Sequence, residues 1–130
     1  MTAAATDAPG RSADPRPVVV EDGGRHLLAG ARCVACRHAL ARVVPRCSRC
    51  RGPVEPERFG PDGVIWATTV VHIAAEPGDE TPYTLAYVDL DAGPRVLLRL
   101  ETGGARATIG DRVSLTAPTA SGSAAAELVR

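Results

Sequence analysis

The chain has 130 residues, fifteen basic against fifteen acidic, with 45% apolar residues and only 3% aromatics. No stretch approaches the roughly eighteen consecutive apolar residues of a membrane-spanning helix, and no basic start leads into an apolar core in the first 25 residues. A cytoplasmic protein with no membrane contact is therefore expected. Strand-like patterning covers about 70 residues from Val64 onward, which predicts a small module followed by one compact domain. All fifteen basic residues are arginine, which we read as genomic composition without functional content.

Residues 1–24 are rich in Ala, Pro, Gly and Asp, with Val18-Val19-Val20 as their one apolar cluster. They cannot bury enough surface to offset ordering entropy and are expected to be a flexible tail. Residues 25–58 form the next unit. Arg25 to Gly30, with Leu27 and Leu28, makes a turn or short strand entering Cys33-Val34-Ala35-Cys36; ten residues later comes Cys47-Ser48-Arg49-Cys50. Each two-residue gap lets one tight turn present two thiolates to a metal at about 2.3 Å, and together the turns complete a tetrahedral set. The doubled motif, with no cysteine left over, points to a Zn²⁺ site of Cys33, Cys36, Cys47 and Cys50. Redox motifs or disulfides are the alternative. Four thiolates leave no open position, so the metal would be structural. Between the knuckles Leu40, Val43 and Val44 alternate with Arg42 and stop at Pro45, as in a short hairpin. Seven arginines lie between Arg32 and Arg58 against Glu55 and Glu57; after Arg58 nine acids face five arginines. The ribbon is basic and the second half acidic.

Residues 59–130 alternate with the period of strands. In the first, Ile65, Ala67, Thr69, Val71 and Ile73 are expected to face inward, and Trp66, Thr68, Val70 and His72 outward. The Glu76 to Pro82 stretch is a loop. A second strand from Tyr83 sends Ala86, Val88 and Leu90 inward and Tyr83, Leu85, Tyr87 and Asp89 outward. After the Asp91-Ala92-Gly93-Pro94 turn, a third buries Val96, Leu98 and Leu100 and shows Arg95, Leu97 and Arg99. A fourth buries Val113 and Leu115, and Glu127 to Arg130 can close the set. Five short antiparallel strands without helical periodicity predict a small barrel, for which the OB-fold is the five-stranded case, although an open meander or a sandwich fragment fits the periodicity almost as well.

The ribbon, then Phe59-Gly60-Pro61-Asp62-Gly63-Val64-Ile65-Trp66, then Pro82-Tyr83 through Asp91-Ala92-Gly93-Pro94-Arg95, then Ile109-Gly110-Asp111-Arg112-Val113, come in a recognisable order. The order resembles a family of small bacterial and archaeal proteins with a rubredoxin-like zinc ribbon followed by an OB-fold. The resemblance covers roughly residues 27–113. It implies an all-β chain and an auxiliary subunit, since members typically accompany thiolase-like enzymes or acyl-CoA hydratases; acyl-CoA is then a candidate ligand. Arg37 and Arg51 follow the knuckles where that family has glycine. A positive φ is disfavoured for arginine, and Gly52 offers a position to which the second turn can shift.

Trp66, His72, Tyr83, Tyr87, Arg95 and Arg99 lie on the outward set of three neighbouring strands, a mixture enriched in interface cores. Packing of these side chains against the ribbon or the N-terminal segment is the plainer alternative. No nucleophile, acid and base constellation accompanies His38 or His72, so no catalytic residue is assigned. Nucleic-acid binding is the rival class, since ribbons and OB-folds both serve it. An acidic barrel with few aromatics lacks the positive groove and stacking platforms that single strands require.

Overall fold

The computed structural model describes residues 15–129, so the expected tail before residue 15 lies outside the described residues. Every element described is a strand: β1 Val19–Asp22, β2 Arg25–Cys33, β3 Ala39–Leu40 and β4 Val54–Phe59 build the ribbon sheet. β5 Asp62–Val71, β6 Tyr83–Leu90, β7 Arg95–Glu101, β8 Arg112–Thr116 and β9 Ala125–Leu128 build the barrel.

β2 organises the first half. It pairs with β1 and β3 and carries β4 alongside its second half, all antiparallel. Two expectations change here. Val19 to Asp22, expected within the tail, is a strand, because Gly23 and Gly24 at positive φ turn the chain back and pair Val19 with Leu28. The inter-knuckle hairpin shrinks to Ala39–Leu40, and Val43 and Val44 lie outside strands. The strand that holds the sheet is instead β4, whose Val54-Glu55-Pro56-Glu57-Arg58-Phe59 lacks clear alternation.

The second half is a closed barrel in the order β5-β6-β7-β9-β8. Ile65, Val88, Leu98 and Val113 are its most deeply buried large side chains, with Leu90, Val96, Leu100, Leu115 and Ala126 around them. The inward sets expected for β6, β7 and β8 hold. The strands are not all antiparallel, because β9 runs parallel to β7 while pairing antiparallel with β8. The closing strand covers Ala125–Leu128, two residues earlier than expected, so alanines line the seam where β9 meets both neighbours.

The largest correction is in β5. Ile65 pairs with Val88, but the next pair is Ala67 with Tyr87, so Trp66 is the extra residue of a β-bulge. Directly opposed residues share a face, so Ala67, Thr69 and Val71 lie with the outward Tyr87, Leu85 and Tyr83. Thr68 joins Ala86 on the inner side and donates its hydroxyl to the Leu85 carbonyl at 3.0 Å. Ile73 lies beyond the strand and is 88% exposed. One inserted residue thus reverses the expected pairing parity from Ala67 onward, although Val70, near the end of the strand, is 50% exposed as expected.

Ribbon and barrel share one core. Phe59, at the end of β4, and Leu28 of β2 belong to the same cluster as the barrel interior. Gly93 admits the ring: a Cβ there would come within 2.9 Å of it. Arg32 spans the joint, gripping Glu57 through Nε at 3.0 and 3.1 Å, reaching the Ala92 carbonyl at 2.6 Å, and lying 5.3 Å from the centre of the Phe59 ring.

Candidate metal centre and the aromatic face

Both knuckles use the same backbone device. The Cys33 amide donates to the His38 carbonyl and the Arg37 amide to the Cys33 carbonyl; Cys47 repeats this with Gly52 and Arg51. Each loop therefore turns its first cysteine inward, and Cys33 and Cys47 are buried while Cys36 and Cys50 reach the surface. Amides of Cys36, Arg49 and Gly52 donate to the sulfurs of Cys33, Cys47 and Cys50 at 3.3, 3.3 and 3.4 Å.

Arg37 and Arg51 both take the left-handed conformation, at φ 66° and 67°. The reading that arginine would disfavour it, and that Gly52 would take over the second turn, is overturned. Closing each loop on its own cysteine carbonyl fixes the sign of φ, and the fold sustains a cost of about 1 kcal/mol per residue. Gly52 is needed for space instead: a Cβ there would sit 3.1 Å from the Ala35 Cβ and 3.2 Å from the Cys50 sulfur.

The four sulfurs lie within 4.8 Å of one another, with 3.4 Å between Cys33 and Cys50 and 3.7 Å between Cys36 and Cys47. A regular tetrahedron with metal–sulfur bonds of about 2.3 Å has edges of about 3.8 Å, so the set fits a tetrahedral thiolate-binding metal. The Cys36 amide aimed at its sulfur brings Cys33 down to about 6. Cys47 is lowered as well, chiefly by the Cys50 amide, with burial opposing. The Gly52 amide favours the Cys50 thiolate, but the sulfurs of Cys33, Cys36 and Cys47 and burial outweigh it and push Cys50 up to about 11. The geometry favours some thiolates and penalises the last, which is the electrostatic setting that a divalent cation resolves.

The outward residues form two clusters. In the first, the Arg95 guanidinium stacks on Trp66 at 3.6 Å, Trp66 meets Tyr87 edge-on at 6.2 Å, and Arg95 grips Asp89 with two bonds of 2.7 and 3.1 Å. That hydrogen-bonded pairing holds the Asp89 carboxyl below the usual carboxylate range. In the second, Arg99 stacks on Tyr83 at 3.6 Å and lies 3.8 Å from Asp79 of the β5–β6 loop. His72 joins neither; it is exposed just beyond the end of β5. Between the clusters lies a groove of about 370 Å³ floored by Ala67 and Thr69 and walled by Leu85, Tyr87 and Leu97. Trp66 is 50% exposed, Tyr87 44% and Leu97 42%, which leaves an apolar surface open to solvent.

Sequence reasoning missed Arg32, Asp89 and Asp79 as partners. Asp89 was legible, since it and Arg95 lie on either side of Leu90 and the four-residue turn and fall opposite each other. Arg32 was not, because its partners Glu57 and Ala92 lie 25 and 60 residues away.

Residues 57–117 match the family described as the C-terminal OB-fold domain of ChsH2. Two solved structures share the architecture. An Ltp2–ChsH2 (DUF35) aldolase superposes with a TM-score of 0.61 at 24% identity, covering 78% of this chain and 83% of that one. A DUF35-family protein of unknown function from Sulfolobus solfataricus gives a TM-score of 0.60 at 12% identity, covering 79% and 76%. The match runs from the end of β4 through β8, so the closed five-stranded barrel is similar to the ChsH2 C-terminal OB-fold, and with the four-cysteine cluster before it the chain has the ribbon-plus-OB-fold arrangement that its sequence resembles.

Proposed function

We propose, from the ChsH2-type OB-fold of residues 57–117, that this chain is a non-catalytic accessory subunit. It docks on a thiolase- or hydratase-type enzyme of CoA-ester metabolism and contributes to holding acyl-CoA. The observation that carries the reading is the open outer face of β5, β6 and β7, where half-exposed Tyr87 and Leu97 wall an apolar groove and half-exposed Trp66 packs edge-on against Tyr87. Such a face is costly to leave in water, and aromatic anchors flanked by arginine are what interface centres contain. The solved neighbour named as an Ltp2–ChsH2 (DUF35) aldolase supports the kind of partner, since its name joins a DUF35 chain to an enzyme.

The chemistry of the remaining residues agrees with a supporting role. The four cysteines are drawn into one cluster, suited to Zn²⁺ held structurally by Cys33, Cys36, Cys47 and Cys50. Among the described residues, no histidine side chain bonds a serine, cysteine or carboxylate, so no acid–base pair is assembled. The test is capture of an enzyme of this class from the native host on the zinc-loaded chain, followed by reconstitution. The expected result is a stable complex whose activity on a CoA ester exceeds that of the enzyme alone. A partner whose stability and activity are unchanged by the chain would overturn the reading.

A further inference from the structure

We infer that the crevice between the ribbon and the barrel binds phosphate, and that it takes the anionic head of a ligand whose apolar arm lies along the groove beside Tyr87. The crevice measures about 530 Å³. Arg37, His38 and Arg49 enter it from the two knuckles, and Arg95 and Asp89 from the barrel. Asp89 is already engaged by both ends of the Arg95 fork, so it does not neutralise the other two arginines. Among the described residues neither Arg37 nor Arg49 has an ion-pair partner.

A plainer role for these arginines is to balance the charge of four thiolates. The sulfurs, however, take their hydrogen bonds from backbone amides of Cys36, Arg49 and Gly52, and among the described residues no guanidinium bonds a sulfur. The two forks therefore remain available to the crevice. Guanidinium donors in a fixed plane match phosphate oxygens two at a time, which an ammonium cannot do.

The crevice also leads to the apolar face. Arg95 lines it and stacks on Trp66; Trp66 touches Tyr87; Tyr87 walls the groove with Leu85 and Leu97. A ligand laid along this path has a phosphate or pyrophosphate head at the knuckles and an apolar end at Leu97. On the function proposed above, on which the identity of the arm rests, that ligand is an acyl-CoA held in one direction only: nucleotide toward the metal ribbon, acyl chain toward the barrel.

The test uses the zinc-loaded full chain, titrated calorimetrically at low and moderate salt with inorganic pyrophosphate, CoA and lauroyl-CoA. Saturable binding of all three is expected, weakening as salt rises. The double variant Arg37→Gln/Arg49→Gln should bind each at least about tenfold more weakly with its zinc content unchanged, the loss expected for charge-assisted bonds. Arg106→Gln, an exposed arginine outside the crevice, should bind as the parent does. Leu97→Asp should keep pyrophosphate affinity and lose the advantage of lauroyl-CoA over CoA. Absence of saturable pyrophosphate binding, or a loss in Arg106→Gln equal to that in the double variant, overturns the crevice. Partner capture by the double variant is measured in parallel and should be intact. Loss of anion binding with capture retained confines the arginines to the ligand; failure of capture by the parent chain strikes the accessory role alone.

Discussion

Phe59→Ala tests whether the ribbon and the barrel are one folding unit. The ring is 3% exposed and belongs to the core cluster shared by Leu28 and the barrel interior. Gly30 and Gly93 both make room for it, since a Cβ at either would come within 2.8 or 2.9 Å of its atoms. Truncating a buried phenylalanine costs about 3–5 kcal/mol, the sum of lost transfer energy and the cavity left behind. Here the cavity would lie at the joint, and Arg32 would lose the ring under its guanidinium. Urea unfolding is followed by Trp66 fluorescence for the barrel and by chelator-detected zinc release for the ribbon. Both transitions should move to lower urea together, and Phe59→Leu should recover most of the loss because the volume is largely restored. If zinc release is unchanged while the barrel loses under about 1 kcal/mol, the modules are independent and the shared-core argument is wrong.

Purified protein should contain close to one zinc per chain, and Cys47→Ser should release it and loosen the ribbon; metal analysis with thiol titration checks this, and four freely titratable thiols with no metal would refute it. Trp66→Ala with Tyr87→Ala should abolish partner capture at a stability cost of about 1 kcal/mol each, because both rings are half exposed; a collapse of the fold on denaturation would place them in the core instead. Asp89 and Asp91 are lowered chiefly by hydrogen bonds from Arg95 and Arg112. Their stabilising effect is therefore present above the unfolded carboxylate range and is lost as pH falls through their depressed folded values, below about pH 4. Arg112→Gln should flatten that acid limb in a pH-dependent melting series without changing neutral-pH behaviour by more than the small amount an exposed pair contributes.

The parts legible in the sequence are those governed by short spacing. Two Cys-x-x-Cys turns carry their ligand geometry within a few residues, and the cysteines meet as expected. Regular alternation carries the inward faces of β6 and β7, so Ala86, Val88, Leu90, Val96, Leu98 and Leu100 all point to the core. What the sequence concealed depends on pairing at a distance. β4 has a proline and three charged residues and shows no strand pattern, yet pairs with six residues of β2, because its partner and Phe59 at its end define it. β9 is read from alanines that are too small to signal burial until two neighbouring strands close over them. The left-handed arginines likewise follow from loop closure around the cysteines, a constraint stronger than residue preference.

The bulge at Trp66 shows why a local irregularity matters for the site. With unbroken alternation, Trp66 would face out and Ala67 in, and the tryptophan would stand alone beside a row of inward small residues. The inserted residue leaves Trp66 exposed and also brings Ala67 and Thr69 to the outer side, opposite Tyr87 and Leu85. Their small side chains become the floor of a groove whose walls are the larger Leu85, Tyr87 and Leu97. The inner side meanwhile loses Ala67, Thr69 and Val71, while Ile65 before the bulge still supplies the buried contact. Bulges bend the strand as well as shifting its faces, as a strand must in closing a small barrel. Closure and an apolar recess next to a cation-stacked tryptophan thus come from the same inserted residue, which ties the barrel's geometry to the surface proposed to meet its partner.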